Sequence, residues 1–176
     1  MEQQIFAAEL TSSLEFFNRS TSCLTEEHAG FAPSKDAMTT CQQIAHVAQT
    51  IDWFMEGILG DGFDMNFEAH LAEVRKITSV AAARDWVNRS YTDAVRIASY
   101  TSLEDLAVPM PADSPIFANT PRYAAFSAIV EHTAHHRGAL TVYSRLLGLT
   151  PAMPYMDALP EAPKAAPENK AKAESV

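Results

Sequence analysis

Apolar residues recur along the chain at the three- and four-residue steps that are typical of amphipathic α-helices. The first such stretch extends from Gln3 to Asn18, and its apolar line is Phe6, Leu10, Leu14 and Phe17. The second extends from about Lys35 to Leu59 and ends at a glycine pair, with a longer apolar line of Ala37, Cys41, Ile44, Ala48, Ile51, Met55 and Ile58. Each stretch predicts a helix that buries one face in a core.

Two further helices are predicted in the second half of the chain. The third begins at Thr78 or Ser79, either of which can cap it, and continues to about Tyr100. The fourth begins at Thr120–Pro121, a favourable N-cap and first helical position, and continues to Leu147 before Gly148. A short helix is also predicted near Phe67 to Val74, and no alternating pattern of useful length indicates a β-strand.

Four amphipathic helices with two longer connections and no predicted strand indicate an all-α four-helix bundle. We assign residues 1–159 to this single domain. The stretch from Pro160 to Val176 is rich in proline, alanine, lysine and glutamate and has no aromatic residue. Such a composition buries too little apolar surface to offset the entropy of ordering, so we predict a disordered C-terminal tail at 160–176.

Composition and charge narrow the classes of partner. The 176-residue chain has a formal net charge of −9 and no cluster of lysine or arginine, so no nucleic-acid partner is expected. No apolar run approaches the ~18 residues of a membrane span, so no membrane association is expected. The first residues lack the features of a secretory signal, and the two cysteines form no CxxC motif. A cytoplasmic location and a small-molecule substrate fit these features best.

The candidate chemistry lies in the fourth predicted helix, where the segment Glu131–Arg137 holds three histidines. His132 and His136 are four residues apart, so their side chains share one helical face. They lie on the predicted inward line together with Ile129, Leu140, Tyr143 and Leu147. A single core histidine can be satisfied by a carbonyl or hydroxyl group, and exposed HxxxH pairs arise by chance. Two imidazoles on one inward line, however, can chelate a divalent metal ion.

A complete site would need a third ligand from a facing helix. His46 is the candidate, because it lies beside the apolar line of the second predicted helix; the alternative is a partly buried histidine at a helix interface. His135 stands about 60° around the helix from His132 and about 100° from His136. We interpret His135 as a flanking residue that hydrogen-bonds Glu131 or solvent rather than as a ligand.

Two segments resemble the DinB-like (DNA-damage-inducible, YfiT-type) superfamily. One is Ile44–Ala48 followed by Asp52–Phe54, and the more specific one is Glu131–Gly138, with an H-x-x-H-H-R-G core, followed by Val142–Gly148. The resemblance extends from about Gln3 to Tyr155. Ala139 departs from the pattern, since many members carry glutamine there; it is not a ligand position, so the change affects only hydrogen bonding around the site.

The resemblance implies a four-helix bundle of up-down-down-up arrangement with a divalent metal held by His46, His132 and His136. It also implies chemistry with a low-molecular-weight thiol, because relatives include thiol S-transferases and a thiol-dependent isomerase, and it implies a homodimer. The ion could be Zn, Ni, Fe or Mn, since all accept imidazole. No residue beyond the ligands is identified as catalytic.

The functional hypothesis is therefore a metal-binding protein that acts as a thiol-dependent S-transferase on small electrophiles. An ion held by three neutral imidazoles is a Lewis acid that lowers the pKa of a bound water or thiol. Two alternatives remain open. A metal-dependent hydrolase would need a nearby carboxylate as general base, and none is evident on the ligand faces. A non-catalytic bundle would use the metal only to clamp the second and fourth helices.

Overall fold

The computed structural model describes residues 2–156, and within them the chain is helical without a β-strand. The α-helices are α1 (Glu2–Thr21), α2 (Thr40–Leu59), α3 (Phe67–Arg75), α4 (Val80–Tyr100), α5 (Leu103–Ala107) and α6 (Ala124–Leu146). A 3-10 turn lies at Glu26–His28. The predicted all-α fold is confirmed, while the predicted tail at 160–176 and the domain boundary at 159 lie outside the described residues.

The long helices α1, α2, α4 and α6 form a four-helix bundle in which α1 and α2 each contact both α4 and α6. The ring of Phe6, early in α1, stacks on Tyr123 at the start of α6, so these two helices run parallel. Tyr143, near the end of α6, donates a hydrogen bond of 3.0 Å to the carbonyl of Met38 just before α2. Helices α2 and α6 therefore run antiparallel.

Helix α4 runs in the same direction as α2. The thiol of Cys41 at the start of α2 donates to the carbonyl of Ile77, three residues before α4 begins, at 3.2 Å. Arg84, near the start of α4, donates a hydrogen bond of 2.6 Å to the carbonyl of Thr21 at the end of α1, so α4 runs antiparallel to α1. The order of directions is up-down-down-up, as the resemblance implied, and α3 lies in the long crossing between α2 and α4.

The start of α2 differs from the prediction: the helix begins at Thr40, not near Lys35. A capping box accounts for the difference. The backbone N–H of Thr39 donates to Gln42 Oε1 at 3.0 Å, and the N–H of Gln42 is 3.4 Å from Thr39 Oγ1. These bonds satisfy the backbone N–H groups of Thr39 and Gln42. The helix therefore begins after Thr39, and residues 35–39 remain in the connection between α1 and α2.

The start of α6 was also predicted wrongly, because Thr120 and Pro121 precede the helix rather than cap it. Residues 120–122 form backbone hydrogen bonds with residues 108–110, in the connection between α4 and α6. Met110 N–H donates to the Thr120 carbonyl at 2.9 Å, and Arg122 N–H donates to the Val108 carbonyl at 3.2 Å. Tertiary backbone pairing thus outweighs the local signal. The short helix α5 in this crossing was not predicted. The glycine stop was correct, since Gly148 follows α6 with φ of +76°.

A buried chain of hydroxyl groups connects three helices of the bundle. Tyr91 of α4 is fully buried, and its hydroxyl lies 2.9 Å from Ser13 Oγ of α1. The same hydroxyl donates to Thr133 Oγ1 of α6 at 2.7 Å. With Thr133 held against α4, the neighbouring positions 132 and 136 are directed toward α2. None of the described helices is both long and apolar enough to cross a bilayer.

Candidate metal centre

The three predicted ligands meet between α2 and α6. The ring centroid of His46 lies 5.3 Å from that of His132 and 4.9 Å from that of His136. The rings of His132 and His136, one helical turn apart, are 4.4 Å apart. One nitrogen from each of the three rings lies within 4.8 Å of the others. Among residues 2–156, this is the group of histidine, cysteine and acidic side chains that could share one metal ion.

The buried nitrogens of this cluster lack enough protein partners. His136 is only 7 % exposed, and His46 and His132 are half-buried. His46 Nδ1 and His132 Nε2 are buried and have no hydrogen-bond partner within the described part of the chain. An unsatisfied buried polar group costs roughly 1–3 kcal/mol. Neutral imidazoles are good ligands for divalent ions, so these orphaned nitrogens and their spacing fit a metal ion.

The electrostatics keep the three rings neutral. Burial lowers the pKa of His136 to about 3, with further contributions from His132, His46 and His135. Burial also lowers the pKa of His132 to about 4, together with repulsion from His46 and His135. The pKa of His46 is lowered by burial, against an opposing hydrogen-bond contribution from Gln49. Unprotonated rings are the form that binds metal ions, so the lowered pKa values favour ligation at neutral pH.

Sequence reasoning missed one residue of the centre, Gln43. It lies on α2 three residues before His46, is only 8 % exposed, and its Nε2 is 2.8 Å from Nδ1 of His136. The spacing places Gln43 on the same side of α2 as His46. The signal available in the sequence was a glutamine beside the apolar line of the second helix. Its partner, His136, lies 93 residues away in sequence.

His135 stands apart from the trio. Its ring is exposed, and its centroid is 4.9 Å from that of His136, beside the centre rather than in it. His135 does not belong to the group of nitrogens within 4.8 Å of one another. Its predicted hydrogen bond to Glu131 or solvent stays a prediction, and its charge lowers the pKa values of both α6 ligands.

A sizeable cavity lies away from the histidines. It is a groove of about 790 Å³ between α1 and α6, with an apolar lining that includes Ile5, Phe16, Val130 and Tyr155. None of the three histidines lines it. His46 and His132 nevertheless retain partial exposure.

One of three comparisons with known proteins gave a match. The sequence profile of the DinB superfamily matches residues 10–140, which include the three histidines and Gln43. The Val142–Gly148 part of the resemblance lies beyond the matched range. No curated protein and no solved structure gave a significant match. Because the profile covers well over half of the chain, the protein belongs to the DinB superfamily.

Proposed function

We propose that the protein binds one divalent metal ion through His46, His132 and His136 and uses it in a thiol-dependent transfer reaction. The main observation behind the metal site is the convergence of one ring nitrogen from each of three histidines on two helices. In addition, His46 and His132 each have a buried ring nitrogen without a hydrogen-bond partner in the described part of the chain. Membership of the DinB superfamily supports the same assignment. Zn, Ni, Fe and Mn all accept imidazole ligands, so the donor set leaves the ion open.

The number and type of donors support an open site. Three protein ligands leave at least one coordination position for a small molecule, whereas structural zinc sites have four protein ligands. When bound, an ion with three neutral ligands keeps its full charge and lowers the pKa of a thiol or water beside it. The partial exposure of His46 and His132 gives such a molecule a route from solvent.

The transferase reaction would conjugate a low-molecular-weight thiol with a small electrophile. The thiol sulfur forms a bond to the electrophilic carbon, the leaving group departs with the electron pair of the broken bond, and the thiol proton passes to solvent. The role of the three histidines is to remain neutral and hold the ion. The thiol requirement is supported by the family resemblance, and the geometry adds the open, all-nitrogen donor set.

The hydrolase alternative is less well supported. A hydrolase of this type needs a general base within hydrogen-bond reach of an attacking water. Within residues 2–156, no carboxylate joins the group of three histidines. The nearest acidic residue downstream of His46 on α2, Asp52, accepts a hydrogen bond of 2.6 Å from Trp86 Nε1. That contact orients Asp52 toward α4.

A conjugation assay tests the proposal. Untagged protein loaded with one ion would be incubated with an aryl halide and each of several thiols, including cysteine and glutathione. We expect product only when the metal and one of the thiols are both present, and none from the His46→Ala variant. Turnover without any thiol would indicate the hydrolase, and metal binding with no turnover on any substrate would indicate the structural clamp.

The homodimer and the cytoplasmic location are also proposals, and they rest on family resemblance and on sequence features respectively. Sedimentation velocity of the full chain checks the first. A sedimentation coefficient of a 19.3 kDa monomer at micromolar concentration would contradict it.

A further inference from the structure

The hydrogen bond between Gln43 and His136 determines which ring nitrogen of His136 is available. As the two side chains lie, the Gln43 Nε2 donates to His136 Nδ1 over 2.8 Å. A neutral imidazole carries one proton and one lone pair on its two nitrogens. If Nδ1 accepts a hydrogen bond, the proton lies on Nε2, and Nε2 has no lone pair for an ion.

The same contact can be made with the opposite polarity. A half-turn about the Cγ–Cδ bond of Gln43 exchanges its two amide atoms and presents Oε1 to the ring. Oε1 accepts only, so Nδ1 must then carry the proton, and Nε2 keeps a lone pair.

We propose that Gln43 is the positioning residue that makes Nε2 of His136 the ligand atom, because its amide oxygen accepts a hydrogen bond from Nδ1–H when metal is bound. The inference rests on the proposed metal site. Both side chains are more than nine-tenths buried, so water cannot readily replace the amide as partner of Nδ1. Gln43 lies on the same helix as His46, so the amide also sets the position of an α6 ligand relative to α2.

Among the described residues, the side-chain hydrogen bond to Nδ1 of His136 comes from Gln43. A hydrogen bond to the distal nitrogen of a metal-ligating histidine fixes its tautomer and ring orientation, and its loss typically costs 10–100-fold in metal affinity.

Nitrogen-15 NMR of the histidine rings tests the proposal without reference to activity. The full untagged chain, labelled at its histidines, would be recorded metal-free and with one equivalent of Zn²⁺, which is diamagnetic. We expect His136 to carry its proton on Nδ1 in the zinc-loaded chain. A proton on Nε2 of His136 in the zinc-loaded protein would overturn the proposal.

Two variants extend the test to affinity. Gln43→Leu keeps the approximate volume but removes the amide, and we expect it to weaken Zn²⁺ binding about 10- to 100-fold in competition with a chromophoric chelator. Gln42→Leu is the matched control on the adjacent position: it removes part of the α2 capping box without touching His136, and its Zn²⁺ affinity should equal that of the wild type. In metal-free Gln43→Glu, a permanent acceptor should already place the His136 proton on Nδ1.

The outcomes separate the two proposals. If the wild-type chain binds no Zn²⁺, the metal site fails and the role of Gln43 fails with it. If the wild type binds Zn²⁺ while Gln43→Leu and Gln42→Leu bind equally well, only the role of Gln43 fails. A Gln43→Glu variant whose metal-free His136 keeps the proton on Nε2 would also count against that role.

Discussion

At the residue scale, the centre is defined by neutral imidazoles that are held close together. Each ring loses hydration on burial, and each charged neighbour would repel it, so the pKa values of His132 and His136 fall well below the ordinary 6.5. Three basic groups could not pack at ring separations of 4.4 to 5.3 Å if they were protonated. The same arrangement that excludes protons favours a metal ion, which can bind all three nitrogens.

The roles of the neighbouring histidines 135 and 136 are separable by substitution. His136→Ala removes a buried nitrogen of the trio and should abolish stoichiometric Zn²⁺ binding in isothermal titration calorimetry. His135→Ala is the matched control one residue away, and because its ring is exposed beside the centre, affinity should stay within about threefold of wild type. Equal loss of binding in both variants would show that the ligand assignment is wrong.

The pH dependence of the metal-free protein follows from the direction of the pKa shifts. In the unfolded chain these histidines take up protons near pH 6.5, whereas the folded chain resists protonation until pH approaches about 4 for His132 and about 3 for His136. The unfolded state therefore binds more protons across this window, and folding stability falls as pH falls below 6.5. Above pH 6.5 both states are neutral and this contribution is fully present.

Ring proton NMR during an acid titration of the metal-free chain measures this directly. We expect titration midpoints for His132 and His136 below about pH 5. A midpoint at or above 6.5 for His136 would contradict the buried, neutral centre.

At the element scale, hydrophobic periodicity was sufficient to locate the four bundle helices, whereas their ends depended on contacts that it does not encode. The start of α2 is set by the Thr39–Gln42 box, a local signal that can be read from sequence. The start of α6 is set by pairing between Thr120 and Met110, which is tertiary. A favourable local capping sequence does not start a helix when its backbone groups form hydrogen bonds with another segment.

Local helix geometry also predicted part of the candidate site, whereas the rest depends on tertiary contacts. The spacing of His132 and His136 fixes their common face from local helix geometry alone, and the facing-helix rule was enough to select His46. Gln43 could not be selected, because its role depends on an amide-to-ring contact between residues far apart in sequence. The hydroxyl chain through Tyr91 could not be predicted either, because it joins residues of α1, α4 and α6 that are far apart in sequence.

That hydroxyl chain gives a stability prediction. Tyr91→Phe removes the phenolic oxygen and leaves the hydroxyls of Ser13 and Thr133 without it, so we expect a loss of about 1–3 kcal/mol in the free energy of unfolding. Denaturant unfolding of the metal-free chain measures the loss. Tyr100→Phe is the matched control, because Tyr100 is 86 % exposed, and it should be neutral within about 0.5 kcal/mol. Equal stability of the two variants would mean that the hydroxyl chain contributes nothing.

At the scale of the whole molecule, the metal centre connects two helices that are far apart in sequence. His46 lies in the middle of α2 and the other two ligands lie in the middle of α6, so an ion bound there would tie the two antiparallel helices together. An ion that binds the folded chain and not the unfolded chain stabilises the fold by mass action. Metal binding and global stability should therefore be coupled, whether or not the protein is an enzyme.

Chelation provides the whole-molecule prediction. At a free Zn²⁺ concentration about 100 times the dissociation constant, the ion should add about 2.7 kcal/mol to the free energy of unfolding. Differential scanning calorimetry should show a higher melting temperature with Zn²⁺ and a return to the metal-free value with excess chelator. The His136→Ala variant should show no such shift, and a shift of equal size in that variant would place the ion elsewhere.

The most direct test of the central claim is elemental analysis of the untagged protein and its His46→Ala variant after purification without chelators. The account predicts close to one divalent transition-metal ion per wild-type chain and almost none in the variant, because one nitrogen of the interhelical trio is lost. A wild-type chain that binds no such ion even after incubation with Zn²⁺, or a His46→Ala chain that keeps a full equivalent, would contradict it.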